Sequence, residues 1–239
     1  MKIRVAFLGS RPLGVRCLRH LAEWKEFEIC GVVTRPKGSS GWWEPPEVID
    51  VAEELGLRIL ELNDLKELEL DLILSVLFDK ILKRDIIQIP KMGAINLHMA
   101  PLPDYRGCNS FSHAIINNES KYGITIHYID EGIDTGSIIK VAWFNIDPDM
   151  TAKELYNRAQ DVAFDLFVET LPRIVSGNIS ATPQGTGKYY YPRSSLSNKE
   201  ADLSWEPQRF YNFVRALDFL PFEKAFIRIG DKKLYLSTK

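Results

Sequence analysis

The amino-acid sequence predicts an α/β fold in which a mostly parallel sheet carries helices on both faces. Three observations lead there. Strand-like and helix-like segments alternate through the first 145 residues, the pattern of strands joined by right-handed helical crossovers. Leu70 to Leu77 is an almost uninterrupted apolar run, as expected of a central parallel strand covered on both sides. After Gly177 the texture changes to glycine, proline and serine, followed by a short amphipathic stretch and two alternating runs.

The elements follow in order. Lys2 to Leu8 is a short β run, and Val15, Leu18, Leu21 and Ala22 then recur at helical spacing. A second β run, Ile29 to Thr34, enters the loop RPKGSSGWWEPPE, after which Val48, Val51, Ala52 and Leu55 resume helical spacing. Leu70–Leu77, Ala94–Leu97, Ile124–Ile129 and Ile138–Phe144 supply further strands. The clearest helix begins at Thr151, whose hydroxyl pairs with Glu154 in a T-x-x-E capping box. Its apolar stripe is Leu155, Ala159, Val162 and Leu166, and it ends at Gly177. TPQGTGKYYYPRSS reads as a connector. Phe210, Phe213, Val214 and Leu217 mark a short amphipathic helix, and KAFIRIGDKKLYLSTK a hairpin turning at Gly230-Asp231. The expected organisation is a Rossmann-like domain over residues 1–184. Residues 185–239, too few to bury a core alone, form a connector, helix and hairpin docked upon it.

Composition excludes several classes. The 30 Lys and Arg against 32 Asp and Glu leave a net charge of −2, with no basic excess for non-specific nucleic-acid binding. The amino terminus enters a strand without an apolar signal core, and no run approaches the roughly 20 apolar residues of a membrane span. Cys17, Cys30 and Cys108 lack C-x-x-C spacing and read as free thiols in a reducing compartment. Cys17 and Cys30 are expected in the core, Cys108 in a loop. A cytoplasmic protein without membrane or nucleic-acid partner is the expectation. His20, His98, His113 and His127 have no metal-ligand spacing, so no metal is expected. The turn Gly9 to Gly14 lacks both the G-x-G-x-x-G and the GK[ST] phosphate fingerprints, and G-x-S-x-G is absent.

Two stretches look chemical. Period-two geometry sends Asn96 and His98 to one side of a strand and Leu97 into the core. In YGITIHYIDEGIDTGSII, Ile124, Ile126 and Tyr128 share one face and Thr125, His127 and Ile129 the other, before a loop bearing Asp130, Glu131 and Asp134. Asp134 lies 36 residues after His98, far enough to reach the next strand and return to the same sheet edge. If the edges coincide, an amide, an imidazole and a carboxylate converge. Such a trio can polarise a carbonyl, stabilise its oxyanion and manage the proton of an attacking amine. Alternatively, Asn96 and His98 hydrogen-bond loop backbone and the acidic residues are solvated.

At these residues the chain resembles the folate-dependent formyltransferases, which act on methionyl-tRNA, glycinamide ribonucleotide or sugar nucleotides. The match runs through GAINLHMAPLPDYRG and YGITIHYIDEGIDTGSII. It extends back through FLGSRPLGVRCLRHL, CGVVTRP and LDLILSVLFDKIL and forward to LSWEPQRFYNFVRAL. It covers nearly the whole chain. The resemblance implies that Asn96, His98 and Asp134 are catalytic, with Asn96 donating to the formyl oxygen, His98 acting as oxyanion stabiliser or base, and Asp134 assisting it. It implies N10-formyltetrahydrofolate as co-substrate, held by Leu77, Phe78, Lys80, Ile81 and Leu82 and by Ile129, Asp130 and Gly132.

The resemblance is strongest to the sugar-nucleotide branch. GSRPLG departs from the phosphate-gripping turn of the glycinamide ribonucleotide enzymes. The short, near-neutral stretch after Ala216 does not match the RNA-binding barrel that usually follows in the tRNA enzymes, nor does the start match the regulatory domain of the related hydrolases. The expected acceptor is therefore a nucleotide-linked amino sugar, a dTDP-4-amino-4,6-dideoxyhexose for cell-surface polysaccharide. The alternatives are methionyl-tRNA, or a folate-binding protein of hydrolytic or interaction role. Acceptor contacts are expected from Arg11, Trp42, Trp43, Arg106, Cys108, Asn109, Tyr189 and Tyr190. Each has a plainer reading: Arg11 and Lys80 as solvated charges, Arg106 as a clamp on backbone carbonyls, the tryptophans of a solvent-facing loop as a core lid, the tyrosines as linker anchors. Phe210, Phe213, Phe219, Phe222 and Phe226 would mark a homodimer interface if they formed an exposed stripe.

Overall fold

Alternation along each strand decides the layering. In the computed structural model, which describes residues 2–39 and 41–238, β1 (Ile3–Gly9) turns Val5 and Phe7 to one side and Ala6 and Leu8 to the other. The first side joins a large core with α1 (Arg11–Glu23), α2 (Val48–Glu54) and α5 (Ala152–Val175). The second joins a smaller core built on Leu60, Leu65, Leu82 and Ile86, the last in the short α3 (Arg84–Ile87). β3 (Leu72–Val76) is buried throughout because it feeds both, which accounts for its nearly continuous apolar sequence, broken only by the buried Ser75.

The remaining strands are β2 (Phe27–Val33), β4 (Ala94–His98), β6 (Lys121–Tyr128) and β7 (Ile138–Asn145), giving a six-stranded sheet in the order β2-β1-β3-β4-β6-β7. The first four are mutually parallel, whereas β6 pairs antiparallel to both neighbours. The sheet is mixed and mostly parallel, with β6 the reversed strand. Helix α5 opens on the expected capping box: the Thr151 Oγ1 accepts from Glu154 N at 3.2 Å, and Thr151 N donates to Glu154 Oε2 at 2.8 Å.

Two short strands, β5 (Arg106–Gly107) and β8 (Tyr190–Tyr191), pair in parallel and strap the connector to the loop before α4 (Ser110–Ile116). Beyond the connector, α6 (Pro207–Ala216) and the hairpin of β9 (Phe226–Ile229) and β10 (Lys232–Tyr235) share a small core of Val214, Leu217 and Ala225. The five phenylalanines do not form an exposed stripe. Phe226 is buried, Phe210 and Phe213 pack on that core, Phe219 packs on the main core, and Phe222 is exposed.

Cys17 is buried as expected, and burial raises its thiol pKa, while Cys30, on the edge strand β2, is half-buried with its side chain packed against the smaller core. The loop of Trp42 and Trp43 faces solvent at Gly41 and at Glu44 to Pro46, while its rings turn inward, as in the core-lid reading: Trp43 is buried, and Trp42 packs edge-on against Tyr156, Phe219 and Phe222. The tail supplies two of those rings, which no local pattern announces. Ser40 of the same loop lies outside the described residues.

Candidate active site

Register brings four polar side chains onto one face of the β4–β6 pair. Asn96 stands opposite His127 and His98 opposite Thr125, while Leu97 and Ile126 occupy the apolar side. Thr125 is fully committed. Its hydroxyl donates to Ala100 O at 2.8 Å and accepts from Leu102 N at 3.0 Å, folding the chain beyond β4 back over this face.

His127 is a residue that the sequence reading placed on this face without a role. Its Nδ1 lies 2.6 Å from Tyr128 O, a carbonyl that can only accept. The proton therefore sits on Nδ1, and Nε2 accepts from Asn96 Nδ2 at 3.2 Å. Burial, reinforced by the neighbouring His98, lowers the His127 pKa to about 4, so the ring is neutral at pH 7. The Asn96 amide is thereby oriented, with its second N–H left for a ligand.

His98 lies beside it. Its Nδ1 is 3.5 Å from Asp134 Oδ1, and its Nε2 is 3.3 Å from Tyr105 O. The other carboxylate oxygen, Asp134 Oδ2, accepts from Gly107 N at 3.0 Å. Gly107 has φ +93°, and a Cβ there would stand 2.3 Å from Tyr191 O, so the residue donating to Asp134 has to be glycine.

Asp134 reaches His98 by a different route from the one the sequence suggests. Since β6 is reversed, its last residues lie level with the start of β4, and Ile129 N donates to Ala94 O. The nine residues between β6 and β7 leave from that end and curl over the polar face instead of meeting at a shared edge. Gln184, which the sequence did not single out, pins the curl by donating to Asp134 O at 3.0 Å and Gly136 O at 2.6 Å. Gly136 permits it, because a Cβ there would meet Tyr128 O at 1.9 Å. Left-handed backbone at the non-glycine residues Arg11, Leu77, Tyr105, Asn109 and Asp134 falls in the loops around this site, where strain is usually held for function.

The two segments expected to hold the co-substrate lie together. Phe78, Leu82 and Ile129 pack on one core, and Arg84 Nε pairs with Glu131 Oε1 at 3.4 Å. Leu77 O accepts from Ser10 Oγ, and Asp130 Oδ1 accepts from Gly132 N and the Thr135 hydroxyl. Lys80 is exposed, and Ile81 (71% exposed) and Ile133 leave large apolar side chains in solvent, one from each segment. A flat, largely apolar ring would cover them. Leu82 serves the core through its side chain, leaving its backbone to contact a ligand.

The expected acceptor residues divide into two groups. Arg11 and Trp43 meet, with the guanidinium 5.9 Å from the ring centroid, and Trp42 lies behind them. The other group belongs to the connector strap. Arg106 donates to Gln184 Oε1 at 2.7 Å and Gly185 O at 3.2 Å, a clamp on the connector. Cys108 N donates to Tyr191 O, and Asn109 Nδ2 to Arg193 O. Tyr189 stacks with Tyr191 and meets Tyr105 at a tilt, and Tyr191 stacks on His113 at 3.6 Å; Tyr189 and Tyr190 are both exposed, the middle residue more so. Among the described residues no cluster of His, Cys, Asp or Glu could hold a metal, and no helix is long and apolar enough to cross a membrane.

A family model described as formyl transferase matches residues 58–171. The chain is 32% identical over 242 residues to the methionyl-tRNA formyltransferase of Clostridioides difficile, spanning 96% of this chain and 77% of that one. Its fold matches the N-formyltransferase of Helicobacter canadensis, solved in complex with folinic acid and dTDP-3-aminofucose. The TM-score is 0.79 and the identity 25%, over 91% of this chain and 81% of that one. A methionyl-tRNA formyltransferase from Clostridium thermocellum matches with TM-score 0.70 and 19% identity, over 98% and 92% of the two chains. The sequence motifs point first to the sugar branch, while the named likenesses include methionyl-tRNA formyltransferases both by sequence and by shape.

Proposed function

The chain belongs to the formyl transferase family, and from that premise we propose direct transfer of a formyl group onto a primary amine at Asn96, His98 and Asp134, on an acceptor that carries nucleotide phosphate. It is an enzyme whose formyl donor is N10-formyltetrahydrofolate. The observation that carries the mechanism is the Asn96 amide, oriented by neutral His127 and left with one free N–H beside His98.

Asn96 donates that N–H to the formyl oxygen as negative charge develops there. His98, its Nδ1 facing Asp134 Oδ1 and its Nε2 3.3 Å from Tyr105 O, stabilises the same oxygen by turning its Nε2–H from that carbonyl onto it. Asp134 accepts the proton that the amine sheds as its nitrogen bonds the formyl carbon. The carbon–N10 bond then breaks, N10 takes the proton that Asp134 received, and tetrahydrofolate leaves with the carboxylate restored. Leu77–Leu82 and Ile129–Asp134 hold the donor, with Ile81 and Ile133 covered by its ring. Removing one oxyanion donor of this kind typically costs about 10²–10³ in rate.

Two acceptors fit. Methionyl-tRNA is favoured by the 32% identity to the Clostridioides difficile enzyme across almost the whole chain. A nucleotide-linked amino sugar is favoured by the likeness in shape to the Helicobacter canadensis enzyme. Purified protein given N10-formyltetrahydrofolate with methionyl-tRNA, or with dTDP- or UDP-linked amino sugars, decides between them by tetrahydrofolate release. Turnover with one class assigns the acceptor. No formylated amine from either class, or full turnover by Asn96→Ala, overturns the proposal.

A further inference from the structure

The two residues that face the ring nitrogens of His98 share a rare backbone conformation. Tyr105, whose carbonyl lies 3.3 Å from Nε2, has φ +59°, and Asp134, whose carboxylate lies 3.5 Å from Nδ1, has φ +55°. Left-handed backbone is unfavourable for residues with a side chain and persists only where other contacts hold it. Asp134 is held by Gln184 through its carbonyl and by Gly107 through its carboxylate. Tyr105 is held at the far end of its side chain.

Tyr122 shows how this fold treats a tyrosine kept for packing. It is fully buried, its ring centroid 6.4 Å from that of Tyr105, and it donates its hydroxyl to a backbone carbonyl, Met99 O, at 2.8 Å. Tyr105 is buried too, but its hydroxyl donates to the Glu119 carboxylate at 2.7 Å and accepts from Asn117 Nδ2 at 3.1 Å. Burial raises the Tyr105 pKa, so the phenol keeps its proton and remains the donor. A bond to an ionised acceptor is roughly twice as strong as a neutral one. Glu119 is half-buried, and among the described residues its side chain has no cation and no partner other than Tyr105. A carboxylate costs more to desolvate there than a carbonyl would. Asn117 Nδ2 also donates to the Tyr191 hydroxyl at 2.8 Å, so the same bracket grips the connector.

The grip bears on the chemistry through the backbone. Tyr105 O faces His98 and Gly107 N faces Asp134, so one short segment sets both members of the pair. At 3.3 Å the bond from His98 Nε2 to Tyr105 O is long and weak. It aims the N–H yet releases it when an oxyanion forms, because a charged acceptor outcompetes a carbonyl. That exchange requires a carbonyl that stays in place; a misplacement of about 1 Å can cost about 10² in rate.

We propose that Glu119, outside the catalytic trio, is a positioning residue for formyl transfer: by gripping the Tyr105 hydroxyl it fixes the Tyr105 carbonyl and so the aim of the His98 Nε2–H. The inference rests on the proposed role of His98 for its effect on rate, and on geometry alone for its effect on the ring. Two measurements on the whole protein test it. In protein carrying isotope-labelled histidine, the His98 ring N–H should give a resonance protected from exchange, assigned by its loss in His98→Gln. Exchange should be at least about tenfold faster in Glu119→Ala and in Tyr105→Phe, and near wild type in Glu119→Gln, whose amide oxygen still accepts from the hydroxyl. With N10-formyltetrahydrofolate and methionyl-tRNA or dTDP- or UDP-linked amino sugars, kcat should fall about tenfold in the first two variants and less than about threefold in the third, with donor KM unchanged. Tyr105→Phe keeps the ring and its packing, and serves if Glu119→Ala does not fold. Wild-type protein without the protected resonance, or variants with an unchanged resonance, overturn the proposal. So do an unchanged kcat per folded molecule with only a lowered melting temperature, and a Glu119→Gln protein as impaired as Glu119→Ala. Faster ring exchange in a protein that formylates no amine keeps the link from Glu119 to His98 and ends the proposed function.

Discussion

The two faces of the β4–β6 strand pair are made from neighbouring residues and do opposite work. On one face Ile95, Leu97, Ile124 and Ile126 meet α5 at Phe167, Leu171 and Ile174. Any apolar side chains of similar volume could serve there. On the other face Asn96, His98, Thr125 and His127 spend their polar groups on backbone, on each other and on Asp134. The first face contributes stability and no chemistry. The second gives up apolar burial for orientation, and one residue of register separates them.

Substitutions that affect one face and spare the other test this division. The largest effect is expected on rate: Asn96→Ala should lower kcat by about 10²–10³ while thermal unfolding stays near wild type. A comparable loss of melting temperature would place Asn96 with the structural residues. Leu97→Ala should do the reverse, costing about 2–5 kcal/mol in urea denaturation with kcat per folded molecule nearly unchanged.

His127 belongs to both faces in a sense, since it is buried yet polar. Its folded pKa of about 4 lies below the ordinary histidine value near 6.5. The unfolded chain therefore takes up its proton first, and stability present above pH 6.5 falls as pH drops toward 4. The loss should be about 1–3 kcal/mol. Urea midpoints across this range check it, and His127→Asn should flatten the slope; an unchanged slope would assign the acid sensitivity elsewhere. Gly107→Ala strains a positive φ and drives a Cβ into Tyr191 O. It should cost about 3 kcal/mol in stability and lower kcat through Asp134 more than it changes donor KM.

Much of this architecture was legible in short patterns. Two-residue alternation placed Asn96 with His98 and Thr125 with His127, and the three-residue spacing from Thr151 to Glu154 located the capping box, because these depend on backbone geometry within one element. The nearly continuous apolar run of β3 announced a strand buried on both sides. Gln184 carried no such signal. Its amide matters only because the connector happens to cross the loop of Asp134, and nothing near it in the chain records that crossing.

What local pattern could settle was therefore which residues share a face and where the helices begin. The direction of β6, the curl that carries Asp134 over the sheet, the tautomer of His127 and the burial of Trp43 were settled by contacts between distant segments. A strand's alternation reads the same in either direction, and a side chain's burial depends on what folds over it. Local sequence constrains neither, so the polar trio could be listed in advance but its assembly required the folded chain.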